Sequence, residues 1–196
     1  MKTKLILLLC AIILSFAATA AADKAILAGG CFWCMESDFE KLSGVTDVVS
    51  GFTGGTLKNP TYKGDHQGHY EAVEITYDPN QVSYQQMLDH YWVNIDPFDS
   101  GGQFCDRGPS YLSAIFVANE AEMKLAEESK KQVAAMFPDD EIVTPILNTT
   151  TFYPIAGDES YHQDYYKNYS FRYSAYRWNC GRDKRLKAIW GDKATH

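Results

Sequence analysis

Positive charge is scarce in this sequence: 18 Lys and Arg stand against 25 Asp and Glu in 196 residues, a formal net charge of −7. A surface of that sign excludes a general nucleic-acid binder, which needs a basic face to meet phosphate. Internal repeats and low-complexity linkers are also missing, so nothing marks a boundary between two domains. Cysteine is sparse, with five in the chain, and each has to be placed.

The first 22 residues read as a secretory leader. Lys2 and Lys4 precede the uncharged apolar run Leu5 to Phe16, and the small residues Ala17 to Ala22 follow, with Ala18-Thr19-Ala20 fitting a cleavage site. Leu5 to Ala22 is just long enough to be an uncleaved anchor instead, but the crowding of small residues at its end favours cleavage. Leu7-Leu8-Leu9-Cys10 lacks the small residue expected before a lipidated cysteine, so Cys10 is read as discarded. The expected mature chain, residues 23–196, is a single domain of about 175 residues, enough for a sizeable core. Removing Lys2 and Lys4 leaves a charge of −9. Export to an oxidising compartment, periplasmic or extracellular, is expected, with no membrane contact once the leader is gone. Structural disulfides are permitted there.

The stretch Ala28-Gly29-Gly30-Cys31-Phe32-Trp33-Cys34-Met35-Glu36 carries the strongest chemical signal. Lys24 to Ala28 is a short apolar strand, and Met35 to Leu42 contains helix formers without Gly or Pro. Cys31 therefore falls at a strand-to-helix turn, where the first helical N–H groups stabilise an anion and lower a thiol from ~8.5 towards ~3.5–7.5. A C-x-x-C beside a β-to-α turn is also a redox pattern.

Further on, Gly44 to Phe52 reads as a strand, and Asn59 to Gly68 is a polar, breaker-rich loop. In Glu71 to Tyr77 the period of two puts Glu71 on the apolar face with Val73, Ile75 and Tyr77. An acid there is costly to ionise, so its pKa rises and it can donate a proton near neutrality. The other reading starts the strand one residue later and leaves Glu71 on the loop. Ser83 to Gln86 has capping-box spacing with Val82 and Met87 as a staple. Asp96 to Pro109 is a long loop holding Cys105 and Asp106, and Tyr111 to Ala118 alternates as a strand. Asn119 and Glu122 cap a helix running to Met136, and Thr149 to Tyr153 suggests another strand. The aromatic and basic tail Tyr161 to Trp178 is expected to pack around a pocket, with Cys180-Gly181-Arg182 in a mobile stretch. This order of elements gives an α/β sheet with packed helices.

Gly30-Cys31-Phe32-Trp33-Cys34-Met35-Glu36, Gly51-Phe52-Thr53-Gly54-Gly55, Asn59-Pro60-Thr61-Tyr62, Gly68-His69-Tyr70-Glu71-Ala72-Val73 and Tyr77-Asp78-Pro79, in this order, closely resemble peptide methionine sulfoxide reductase A. Asp106 to Tyr111 and Tyr161-His162-Gln163 are similar to that family too. The resemblance implies an α+β, two-layer sandwich with a mixed, mostly antiparallel sheet and a ferredoxin-like core. It implies reduction of methionine S-sulfoxide, free or in oxidised proteins, with no metal or bound cofactor, and recharging by an external thioredoxin-like reductant (dithiothreitol in vitro). A monomer is expected. In that scheme Cys31 is the nucleophile, Glu71 the acid that protonates the sulfoxide oxygen, and Tyr62 and Tyr111 hydrogen-bond that oxygen. Phe32 and Trp33 receive the S-methyl group, and Asp106 and His69 border the substrate.

Two features depart from the commoner pattern. The Tyr62 to Glu71 loop is short, with Gln67 where a threonine is expected, and Cys34 replaces a frequent glycine. Cys34 is favoured to resolve a Cys31 sulfenic acid over Cys180, which resembles a recycling cysteine of some relatives. Cys105 reads as structural or incidental, with pairing to Cys180 left open. The competing classes are a thioredoxin-like disulfide oxidoreductase, with Thr144-Pro145 opposite the thiols, and a disulfide-stapled secreted binding module. Asn148-Thr149-Thr150 and Asn168-Tyr169-Ser170 would be glycosylation sequons in a eukaryotic secretory route.

Overall fold

A computed structural model describes residues 22–194. The leader assigned to residues 1–22 lies, apart from Ala22, outside the described residues, and Cys10 with it. The chain runs through β1 (Asp23–Gly29), α1 (Phe32–Phe39), β2 (Val45–Thr53), β3 (Tyr70–Tyr77) and α2 (Tyr84–Trp92). The two-residue strands β4 (Gly102–Gln103) and β5 (Asp106–Arg107) follow, then β6 (Ser113–Val117), α3 (Glu120–Met136), β7 (Ile146–Asn148) and β8 (Tyr153–Pro154). The chain closes with α4 (Tyr165–Asn168), α5 (Ser170–Cys180) and α6 (Arg182–Trp190).

Six strands form one sheet in the order β7-β6-β1-β3-β2-β8, antiparallel throughout except for β6 with β7. The connections β1-α1-β2 and β3-α2-β6 each skip one strand, which is the split β-α-β arrangement of a ferredoxin-like core. Parity explains the layering. Leu27 of β1, Val48 and Phe52 of β2, Val73 and Ile75 of β3 and Ile115 of β6 point to one face, where Phe32, Met35 and Phe39 of α1 and Met87, Leu88 and Trp92 of α2 cover them. Burying each of these side chains is worth roughly 1.5–3 kcal/mol. The opposite face holds only a small cluster around Ala28, Ala72, Ala114 and Phe116.

Local signals set several boundaries. Ser83 accepts from the Gln86 amide while Gln86 reaches back to the Ser83 amide, a complete capping box. Asn119 caps α3 by accepting from the Glu122 amide. Other expectations differ from what forms. α1 begins at Phe32, three residues before Met35, because the Gly29-Gly30 turn ends immediately at Cys31. β6 starts only at Ser113 and is buried along its whole length between β1 and β7, and Tyr111 lies in a preceding 3-10 turn. Thr149 to Phe152 form no strand: Thr150 and Thr151 turn side-chain and carbonyl oxygens towards the Thr53 hydroxyl.

The stretch around Cys180 is anchored rather than mobile. Gly181 takes the left-handed conformation (φ 69°) that ends α5, and Arg182 opens α6 almost fully buried. Its guanidinium donates to the carbonyls of Asn94 at 2.6 Å and Gly29 at 3.2 Å. Arg177 donates to Asp38 Oδ1 of α1 at 2.8 Å. The C-terminal helices are thereby fastened beneath the first helix.

Candidate active site

The site is built where β1 hands over to α1. Gly30 has φ +83°, and a Cβ there would lie 2.6 Å from the Cβ of buried Gln103, so both the turn and the close packing require glycine. Cys31 follows as the N-cap of α1. The first helical N–H, that of Phe32, has no partner within the helix, and Glu71 Oε2 of β3 accepts it at 3.1 Å. Glu71 is thus the end of the apolar face, as its parity indicates, and is 1% exposed. Burial pushes its pKa up to about 8, with the Asp106 charge adding to the rise and the Phe32 N–H opposing it. Near neutrality it is a carboxylic acid.

Cys31, Phe32, Trp33, Tyr62, Glu71, Asp106, Tyr111 and Tyr176 line one cavity of about 50 Å³. Tyr62 and Tyr111 keep their phenol protons, both raised by burial and then by the nearby Glu71 carboxylate, Tyr62 to about 12. Phe32 stacks against Tyr62, ring centroids 6.0 Å apart. Trp33 is held by three groups of the tail: Tyr165 stacks on it at 3.8 Å, His162 Nδ1 accepts its indole N–H at 3.0 Å, and Tyr176 meets it edge-on. Burial lowers His162 to about 4, so the imidazole is neutral and its Nδ1 free to accept. One side of the cavity therefore supplies an acid and two hydroxyls, another an apolar wall, with a sulfur between them. A polarised oxygen attached to a small apolar group fits that division of labour.

Cys31 and Cys34 are unlinked and buried, packed with Tyr173 of α5. Burial, and next the hydrogen bond it gives Cys34, hold the Cys31 thiol well above the ordinary cysteine range. The same bond lowers Cys34, helped by Arg182 and Arg177. This reverses the expectation that the helix N-terminus lowers Cys31: desolvation outweighs a dipole that Glu71 already engages. Cys180 pairs with Cys105 in a disulfide, Cα–Cα 4.9 Å, and does not line the cavity.

A family model for peptide methionine sulfoxide reductase matches residues 23–194. The chain belongs to the peptide methionine sulfoxide reductase family. It is 48% identical over 197 residues to peptide methionine sulfoxide reductase MsrA 2 of Caulobacter vibrioides, covering 96% of this chain and 98% of that one. Among solved structures, reduced Mxr1 from Saccharomyces cerevisiae superimposes with a TM-score of 0.68 at 25% identity, over 75% of this chain and 85% of that one. Mxr1 in complex with Trx2 shares the fold, with a TM-score of 0.53 at 20% identity over 71% and 84% of the two chains. The chain is thus a peptide-methionine (S)-S-oxide reductase, and the thioredoxin-like oxidoreductase and stapled binding-module readings fall. Thr144 and Pro145 agree with that: Thr144 bonds Ser113 at 2.8 Å, the Pro145 carbonyl accepts from Ile115, and neither lines the cysteine cavity.

In this methionine sulfoxide reductase His69 is not brought to the substrate cavity. Its Nδ1 accepts from the Gly55 amide and its Nε2 meets the Leu57 carbonyl at 2.8 Å, which ties down the turn after β2. Gln163 is also structural: its carboxamide bonds Ser50 N and O and the Ile155 carbonyl, extending the edge of β2. The acidic group Glu36, Glu40 and Asp164 is answered by Lys167, 2.5 Å from Glu40 and 2.7 Å from Asp164. Residue-by-residue reading gave no role to His162, although the Tyr161-His162-Gln163 motif marks it, and missed Tyr165 and Tyr176, for which the density of aromatics in the tail is the sequence signal.

Proposed function

We propose that this reductase turns over methionine S-sulfoxide, free or protein-bound, through a Cys31 sulfenic acid and a Cys31–Cys34 disulfide. The single observation that carries the reading is the Glu71 carboxyl, buried in one cavity with the Cys31 sulfur, where burial raises its pKa and favours the acid form. Sulfoxide oxygen is a poor leaving group until protonated. Glu71 supplies that proton while the Tyr62 and Tyr111 hydroxyls hydrogen-bond the oxygen, and Phe32 and Trp33 take the methyl group. As Cys31 attacks the electrophilic sulfur, its own proton leaves along the hydrogen bond to Cys34. Oxygen passes to the Cys31 sulfur as sulfenic acid, and methionine departs. Cys34 then attacks that sulfur, water is lost and a disulfide forms. Cys34 is favoured over Cys180 because Cys180 is already bonded to Cys105.

A disulfide product needs an external dithiol to reopen it. The Mxr1 structure with Trx2 supports a thioredoxin-like partner, and the leader-like first 22 residues support export and a role in repairing oxidised exported proteins. The deciding experiment is methionine formation from separated S and R epimers with dithiothreitol, for the parent, Cys31→Ser and Glu71→Gln. Turnover of the S epimer alone, abolished in the first variant and cut by about 10²–10⁴ in the second, is expected. Full activity in Glu71→Gln would remove the acid from the mechanism, and a Cys31–Cys180 bridge in the trapped oxidised protein would remove Cys34.

A further inference from the structure

Tyr176 has no part in the roles above, yet its ring stands in the cavity wall, 5.7 Å from the Trp33 ring. Its hydroxyl donates to Asp106 Oδ2, and the residue packs against Cys31 in the same cavity, which makes the Cys31 sulfur the second acceptor on offer. A phenol has one proton to give, so these two acceptors compete for it. The surroundings hold all three partners in place. On the buried side of α5, Tyr173 receives a bond from Arg177, which is itself bonded to Asp38 of α1. Cys180, four residues beyond Tyr176, is linked to Cys105, the neighbour of Asp106. Donor and first acceptor are thus tied together covalently at one turn's distance, directly above the helix start that carries Cys31.

We propose that Tyr176 is a catalytic residue, a phenol that passes its hydrogen bond from Asp106 to the Cys31 sulfur as that sulfur becomes anionic and then holds the sulfenic acid. The proposal deepens the reductase mechanism above and rests on it. No proton is transferred from Tyr176. Cys31 gives its proton to Cys34, and the phenol keeps its own while changing acceptor. Oxygen transfer leaves a sulfenic acid whose oxygen takes the same donor, and loss of water on disulfide formation returns the phenol to Asp106. Burial explains the need. A thiolate in a cavity of about 50 Å³ cannot be solvated by bulk water, while Tyr62 and Tyr111 are engaged on the other side with Glu71 and the sulfoxide oxygen. The ionisable groups around the Cys31 sulfur are Cys34 of α1, Glu71 of β3, Asp106 of β5 and Tyr173 and Tyr176 of α5, with Tyr62 and Tyr111 from the segments before β3 and β6. Among the phenols that line the cavity, Tyr176 is the one that donates to Asp106.

The test is the pH dependence of iodoacetamide alkylation at Cys31, separated from Cys34 by fragment mass spectrometry, in the reduced parent, Tyr176→Phe and Asp106→Asn. Tyr176→Phe keeps the ring against Trp33 and removes one hydroxyl. Its Cys31 midpoint is expected to rise by about one pH unit, and its single-turnover rate on S-sulfoxide to fall about tenfold. Asp106→Asn is expected to move the midpoint down, because it replaces a charged competing acceptor with a weaker neutral one and removes a nearby negative charge. An unmoved midpoint in Tyr176→Phe, or an upward shift in Asp106→Asn, overturns the proposal. Because alkylation needs no sulfoxide, the shift in a parent that forms no sulfenic acid would sink the reductase mechanism while keeping the phenol-to-sulfur bond.

Discussion

The two cysteine pairs of this reductase lie on touching elements and have opposite fates. Cys31 and Cys34 begin α1, three residues apart, buried and unlinked. Cys105 and Cys180 are 75 residues apart, at the solvent side of the same neighbourhood, and are joined. Spacing alone would nominate the near pair for a structural bridge just as readily. What separates them is surroundings: Cys31 lines a cavity with two acids and three phenols and Cys34 sits near two arginines, while the far pair closes a long loop onto the end of a helix. In the proposed mechanism one exchanges a proton and forms a bond during turnover, while the other holds the wall in which that happens.

That contrast breaks most sharply at turnover. With a dithiol protein as reductant, Cys34→Ser is expected to release about one methionine per chain and stop at the sulfenic acid, whereas Cys180→Ser keeps cycling. Arrest in Cys180→Ser would invert the assignment. Stability should sort the pairs the other way: urea unfolding is expected to show Cys105→Ser losing up to about 4 kcal/mol through loop closure, with Cys34→Ser changing far less. The acid sharpens the picture, since turnover should fall about tenfold per pH unit above about 8 as Glu71 loses its proton. A flat profile to pH 10 would remove Glu71 from the rate. Glu36 of α1 is also raised to about 8, chiefly by burial, and accepts the Asp164 amide at 3.0 Å. Its folded pKa exceeds the unfolded value of 4.5, so its stabilising effect is full below that value and is lost as pH rises towards 8, by at most ~1.4 kcal/mol per unit. Urea midpoints at pH 5 and pH 8 should therefore differ less in Glu36→Gln than in the parent.

Much of the centre was legible because its signals are local. A double glycine, a strand end and a helix start identify the Cys31 turn, and a period of two puts Glu71 inside. The capping box at Ser83 and the Asn119 cap depend on residues three apart, and both formed. The rest depended on distant partners. β4, β5, β7 and β8 are two or three residues long, too short to carry a period. Trp33 could be assigned to a wall from its motif, but the histidine and tyrosine that fix it lie some 130 residues away. His69 shares a motif with Glu71 yet serves the turn after β2, because it precedes β3 and its ring is taken by the Gly55 amide and the Leu57 carbonyl, partners that its own motif does not show. The Cys31 ionisation was misjudged for the same reason: a helix start is visible in sequence, the burial that overrides it is not.

Arg182 donates to the carbonyl of Gly29, laid down 153 residues earlier. A chain made from its amino end therefore presents both reactive thiols long before the residues that cover them exist, an interval of roughly ten seconds at ordinary rates of synthesis. During that time Cys31 and Cys34 are open to any oxidant or stray thiol around the growing chain. The last two helices thus act as a timing device in biogenesis: their arrival ends the period in which the enzyme's own chemistry is a hazard to it.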